Sequence, residues 1–261
     1  ITWWCESKAS PVPKRRKKGE GTVSAERTGT RSAPGAAKKP PSVFIHSLYR
    51  VLARHYGDLR WWPGETPFEV AVGAILTQNT NWRNVEKAIE NLKKENLLSP
   101  AAITASEDGR LEKALRPSGF YRVKAKRLRA FADYLVRFCG GTMEGLMAEG
   151  AGEIRAKLLT IHGIGEETAD SIVLYGLGKP VFVVDAYTRR ILERHGISEA
   201  RESYGSVQRL FVEALPKSPA VYNQCHALLV QVGKDYCRKE PRCGGCPLSG
   251  MKSPPGAGGK P

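Results

Sequence analysis

The sequence predicts an all-α protein, and three observations carry that expectation. Apolar residues recur at three- and four-residue steps through most of the chain from residue 43 to 233. Short turns with Gly or Pro separate these stretches. The β-like run Val181-Phe182-Val183-Val184 is too short and isolated to found a sheet. Taken in order, residues 43–56 place Val43, Phe44, Leu48, Val51, Leu52 and Tyr56 on one helical face, and residues 68–76 are strongly apolar. Helical spacing follows at 85–92, 124–138, 153–159, 168–175, 186–194, 206–215 and 220–233. Arg116-Pro117-Ser118-Gly119 and residues 176–180 read as turns. No period of about 20 to 50 residues is visible, so a helical solenoid is not expected.

The chain has 261 residues, with 41 Lys and Arg against 26 Asp and Glu, a formal charge of +15. Such a balance suits a polyanionic partner and argues against an enzyme of neutral metabolites. Residues 1–41 hold 10 Lys and Arg against 3 Asp and Glu, a charge of +7, which leaves +8 for residues 42–261. The first stretch is rich in Pro, Gly, Ser and Ala and lacks apolar periodicity. It is expected to be a disordered basic tail, densest at Lys14-Arg15-Arg16-Lys17-Lys18. It reads equally as a solubilising arm or as a non-specific grip on phosphates. Residues 249–261, rich in Gly, Pro and Lys, are expected to form a second tail, leaving 42–248 as the folded domain. No run approaches the roughly 18 apolar residues of a membrane span, so no membrane partner and a cytoplasmic, nucleoid-associated location are expected. Six Cys are too few for a disulfide scaffold. Cys5, Cys139 and Cys225 are scattered, whereas Cys237, Cys243 and Cys246 cluster and read as metal ligands.

Residues 158–170 end one helix, turn through Gly163-Ile164-Gly165 and start another at once. Glycines there permit positive φ and let a phosphate approach backbone N–H groups at a helix N-terminus. Alone, this also fits a plain interhelical turn. About twenty residues later, Asp185 follows four apolar residues. A carboxylate in such surroundings is suited to acid–base or electrostatic work, and it reads as well as the N-cap of the helix that follows.

The hairpin, Asp185, Ile75-Leu76-Thr77-Gln78-Asn79-Thr80, the Gly119-Phe120-Tyr121-x-x-Lys124-Ala125 stretch and the Cys cluster, in this order, resemble the endonuclease III superfamily of DNA glycosylases over about residues 43–248. Trp61-Trp62-Pro63, Trp82 after the Gln78 segment, and Arg116-Pro117-Ser118-Gly119-Phe120-Tyr121 are most similar to its 3-methyladenine DNA glycosylase branch.

The resemblance implies two helical lobes, about 59–180 and 43–57 plus 185–248, with a helix-hairpin-helix motif and an active-site cleft between them. It makes Asp185 the catalytic carboxylate that stabilises an oxocarbenium-like sugar. Bifunctional relatives carry a Schiff-base lysine at the hairpin position held here by Glu167, and a carboxylate cannot form that adduct. A monofunctional enzyme is therefore implied. Gln78 would fill the gap left by an extruded base, and Gly163, Ile164 and Gly165 would grip the DNA backbone. Trp61, Trp62 and Trp82 would form a pocket in which indole faces attract a cationic alkylated base by roughly 0.5 to 2 kcal/mol, although one or two of them also suit core anchors. Cys237, Cys243 and Cys246 imply a [4Fe-4S] cluster with one matching ligand missing, a degenerate remnant being the alternative. No organic cofactor is implied. The expected partner is double-stranded DNA with a damaged base, bound by a monomer. Two rivals stand: a bifunctional glycosylase and lyase for oxidised pyrimidines, and a non-catalytic hairpin module that binds DNA.

Overall fold

A computed structural model describes residues 41–59, 61 and 64–251, all within one compact unit spanning residues 37–261. The readings made of residues 1–40, Trp62 and residues 252–261 lie outside the described residues.

Among the described residues, twelve α-helices follow in order: α1 (Pro41–Tyr56), α2 (Pro67–Leu76), α3 (Trp82–Lys94), α4 (Pro100–Ala105), α5 (Asp108–Leu115), α6 (Tyr121–Phe138), α7 (Glu144–Met147), α8 (Ala151–Leu159), α9 (Glu166–Ser171), α10 (Ala186–Arg194), α11 (Tyr204–Ala214) and α12 (Pro219–Asp235). Among the described residues there is no strand, and the β-like run 181–184 is an irregular segment with Phe182, Val183 and Val184 buried.

Local chemistry starts these helices where the chain supplies a short polar side chain. Thr66, Asn81, Ser99, Asp185 and Ser203 each accept a backbone N–H of the first turn they precede. Thr66 and Ser99 are followed by Pro, whose missing N–H costs nothing at a first helical position. Helix α2 is apolar all round and buried along nearly its whole length, so it lies inside a core and not upon one.

Two apolar clusters result. The first joins α2, α3, α5, α6 and α8 with Ala169, Ile172 and Val173; the second joins α1, α10, α11 and α12 with Leu174, Phe182, Val183 and Val184. The stretch 168–175, read as one helix, divides: α9 runs on into a π-helical turn, Ile172–Gly176, in which the Leu177 N–H reaches back to the Ile172 carbonyl. Such turns insert a residue into a helix and re-aim the side chains after it. Val173 thereby stays in the first cluster and Leu174 enters the second. Residues 249–251 continue into a turn that closes on Cys246 and Leu248, with Met251 against the second cluster.

Candidate active site: a helical hairpin beside a buried carboxylate

The hairpin is built by α8, a tight turn and α9. Ile161 donates to the Leu158 carbonyl and Ile164 to the Ile161 carbonyl, each at 3.1 Å, which closes the turn. Gly163 has φ of +84°, and a Cβ there would run into the Arg127 side chain, so the position demands glycine on two counts. Ile164 is buried and its N–H is taken, which makes it the anchor of the turn. Among the described residues, the N–H groups of Gly163 and Gly165 have no backbone acceptor.

Gln78 folds onto this turn. Its Nε2 donates to the Gly163 carbonyl at 3.2 Å and to Thr168 Oγ1 at 2.9 Å, while its Oε1 accepts from Arg127. The next residue, Asn79, is left-handed with φ of 55°. Gln78, Arg127, Gly163, Ile164, Gly165, Glu167, Arg189 and Tyr204 line a cleft of about 630 Å³.

Asp185 ends the irregular segment after the π turn. It is 8% exposed, and its Oδ1 accepts the Thr188 N–H at 2.7 Å, so it is an N-cap of α10 as well as a buried acid. Its Oδ2 lies 3.6 Å from His226 Nε2 on α12. Burial alone would push the Asp185 carboxyl up, but the His226 imidazole and the Thr188 hydrogen bonds bring it below the usual carboxylate value. Glu167 behaves in the opposite way. Its side chain reaches solvent in the cleft yet is hemmed in by protein, and burial and then the nearby Asp185 charge push it up to about 7, against the opposing pull of His226 and Arg189. Two carboxyls thus face one site with their ionisation drawn apart, the pattern expected where one must stay charged.

A second shell fixes the segment that carries Asp185. The Val184 N–H donates to the Tyr204 hydroxyl at 3.1 Å. Tyr204 also interacts electrostatically with the fully buried Asp170 of α9, which takes Arg155 Nε at 2.6 Å and Gln208 Nε2 at 2.8 Å, the same Nε2 donating to the Phe182 carbonyl at 2.6 Å. The hairpin helix and the residue before Asp185 are therefore tied through one polar network.

The tryptophans occupy different settings. Trp82 opens α3, rests on the first cluster and donates its Nε1 to Glu86 at 2.9 Å. Trp61 carries the Lys234 ammonium over its ring, 5.1 Å from the centroid. Burial lowers the Lys234 pKa against the pull of Asp235 and Asp185. Sequence reasoning missed Lys234, His226, Tyr204 and Arg127; for His226 the local signal is a histidine on the buried face of α12.

Three of the cysteines stay near one another after α12. Cys237 Sγ accepts from Arg194 Nη1 at 3.3 Å, Cys243 is exposed at the 3₁₀ turn Cys243–Gly245, and burial, then the nearby Cys237 and Cys243, push the Cys246 thiol up. Among the described residues, no group of three or more His, Cys, Asp or Glu is gathered to hold a metal ion. Cys139 lies in the first cluster, and Cys225 is fully buried in the second, with burial holding its thiol protonated. The reading of Cys237, Cys243 and Cys246 as cluster ligands stays an expectation of the sequence, and no chemistry is assigned to such a group.

Helices packed on two apolar clusters, a glycine hairpin lining a cleft and a buried carboxylate are the features of helix-hairpin-helix DNA repair enzymes. Residues 72–217 match the family described as HhH-GPD superfamily base excision DNA repair protein. A protein of Methanocaldococcus jannaschii, assigned by its name to the DNA repair glycosylases, is 45% identical over 207 residues, 78% of this chain and 93% of its own. Endonuclease III of Bacillus subtilis is 26% identical over 70% of this chain and 78% of its own. Among solved structures, a trapped endonuclease III–DNA covalent intermediate superposes with a TM-score of 0.69 at 22% identity, covering 79% of this chain and 93% of its own. The H. pylori 3-methyladenine DNA glycosylase bound to 1,N6-ethenoadenine superposes with a TM-score of 0.64 at 30% identity, covering 75% and 98%. The chain belongs to the HhH-GPD superfamily, and it is a DNA N-glycosylase whose partner is DNA.

Proposed function

We propose that the protein is a monofunctional glycosylase that extrudes an alkylated purine from duplex DNA and hydrolyses its N-glycosidic bond. The observation that carries this reading is Asp185, paired with His226, facing Glu167 where the lyase route needs an amine. Departure of the base breaks the C1′–N bond and leaves positive charge on the sugar. Asp185, dry and ionised, stabilises that charge. Water then adds to C1′, giving an abasic site and the free base. The target must come out of the stack because its glycosidic bond cannot be reached inside the duplex, and extrusion costs a few kcal/mol. The alkylated purine is supported by the 30% identity to a 3-methyladenine glycosylase.

Free-base release from methylated, oxidised and deaminated duplexes, compared side by side, tests the reading. Release of methylated purines, abolished in Asp185→Asn with DNA binding retained, is the expected result. Release confined to oxidised pyrimidines would overturn the substrate, and unchanged release by Asp185→Asn would overturn the role of the carboxylate.

One observation favours the lyase rival: Lys234 supplies an amine, its pKa lowered by burial, that feels the Asp185 charge. Borohydride trapping on abasic DNA decides between them. No covalent adduct is expected; an adduct that vanishes in Lys234→Ala would establish the rival.

A further inference from the structure

Asp185 is the end of a chain of polar groups that crosses three elements. Its Oδ1 is spent on capping α10, with the Thr188 N–H at 2.7 Å, and Oδ2 is turned toward α12. That second oxygen is 3.6 Å from Nε2 of His226, and the other ring nitrogen, Nδ1, is 2.5 Å from the Tyr175 hydroxyl. His226 is 4% exposed, and Tyr175 packs on the second core from the π turn that follows the hairpin helix. Burial, and then the Asp185 charge, hold the Tyr175 hydroxyl well above its usual pKa, so it remains a proton donor at neutral pH. With the hydroxyl donating to Nδ1, or with the ring protonated at both nitrogens, Nε2 carries a proton and is the nitrogen turned toward Asp185.

We propose that His226, its ring fixed by Tyr175, is a positioning residue for base release: it presents Nε2–H to the unshared Oδ2 of Asp185 and keeps that carboxylate ionised and aimed inside a buried site. The π turn is part of the device, because it is what carries Tyr175 from the hairpin helix into the second core. The proposal deepens the glycosylase reading and rests on Asp185 being the working carboxylate.

Other ionisable groups also face this pair. Glu167 comes from α9 and Lys234 from α12, both close enough to feel Asp185; Arg189 on α10 acts on Glu167, and Cys225 on α12 lies beside Tyr175. All of them remain when His226 alone is changed, so a difference between the wild type and a His226 variant reports the histidine.

The test is single-turnover release of free bases from dimethyl-sulfate-methylated duplex DNA, between about pH 4 and 9, by wild type, His226→Gln and Tyr175→Phe. Without His226, only the Thr188 hydrogen bonds oppose the burial of Asp185, so the carboxyl protonates at higher pH and the acid limb of the profile moves up. The expected result is a rate lowered about 10- to 100-fold at pH 6, recovering in part at pH 8, with half-saturating DNA changed less than twofold. Tyr175→Phe should move the limb in the same direction by less. A uniform loss at every pH, or a loss confined to DNA affinity, would overturn the proposal.

A second arm needs no substrate. Urea midpoints at pH 7 are compared for wild type, His226→Gln, Asp185→Asn and the double variant. His226→Gln should lower the midpoint clearly in the wild type and little in Asp185→Asn, where no carboxylate is left unpaired. Fully additive losses would overturn the pairing. Failure of the substrate reading shows separately, as a wild type that releases no methylated base while the midpoints still couple.

Discussion

Arg155 shows how much a single side chain can carry here. It is the cation held against Asp170, which has no solvent exposure, and Gln208 satisfies the other oxygen of that carboxylate. Breaking such a pair leaves a buried charge uncompensated, so Arg155→Met should lower unfolding free energy by about 3 kcal/mol in urea titrations. Because the same network grips the Val184 N–H through Tyr204, base release should fall as well. Glu167 offers a pH test. Its pKa is raised in the fold from 4.5 to about 7, so its ionisation weakens the folded state progressively as pH rises through that window. The stability advantage of Glu167→Gln over wild type should therefore be smallest below about pH 4.5, grow toward pH 7 and level off above it; an advantage that shrinks with rising pH would contradict the assignment. Asp185 and Glu167 were legible in the sequence because they stand at fixed steps from a glycine hairpin. Tyr175 and His226 were not, since they lie 51 residues apart and only the packing of α12 brings them together.

The elements that hold these residues have separable jobs. Asp185 is both cap and acid, and the two roles can be split: Asn caps a helix as well as Asp, whereas Ala cannot. Asp185→Asn should keep wild-type stability and Asp185→Ala should lose about 1 kcal/mol, measured by thermal or urea unfolding, with both inactive. The start of α6 is a second such element. Lys124, 1% exposed, donates its ammonium to the Ser118 carbonyl at 2.5 Å and so locks the 3₁₀ turn Arg116–Ser118 against the helix. Beyond that lock stands Phe120, 69% exposed and held at φ of 44°, a costly place for an aromatic residue. Exposed apolar side chains on strained turns are the kind that wedge between bases. Phe120→Asn, which tolerates this backbone, should leave the unfolding midpoint unchanged while weakening binding to damaged duplex in a fluorescence titration. Reading helices from apolar periodicity worked for long elements such as α1, α6 and α12. It passed over α4, α5 and α7, whose four to eight residues are too few to display a face, although Ser99-Pro100 is a start signal for α4.

At the scale of the whole molecule, charge and packing act separately. The +7 carried by residues 1–41 is expected to serve affinity for phosphates, so removing them should flatten the salt dependence of DNA binding and leave base release at saturating DNA unchanged. A fall in the saturating rate would show that the arm takes part in the reaction. The all-α fold was readable because no long run in the chain alternates with a period of two. The route of the chain between the two apolar clusters was not, because the π turn that makes the crossing differs from an α-helix by one residue of hydrogen-bond register. That crossing has a mechanical consequence. From Glu166 to Gly176 the chain is an unbroken helical rod that gives Ala169, Ile172 and Val173 to one core and Leu174 and Tyr175 to the other. A rod seated in both cores resists bending between them. Deformation then falls on the duplex, where a bend of 40–90° costs on the order of 1 to 6 kcal/mol. A lesion that softens the double helix lowers that cost before its base has been touched.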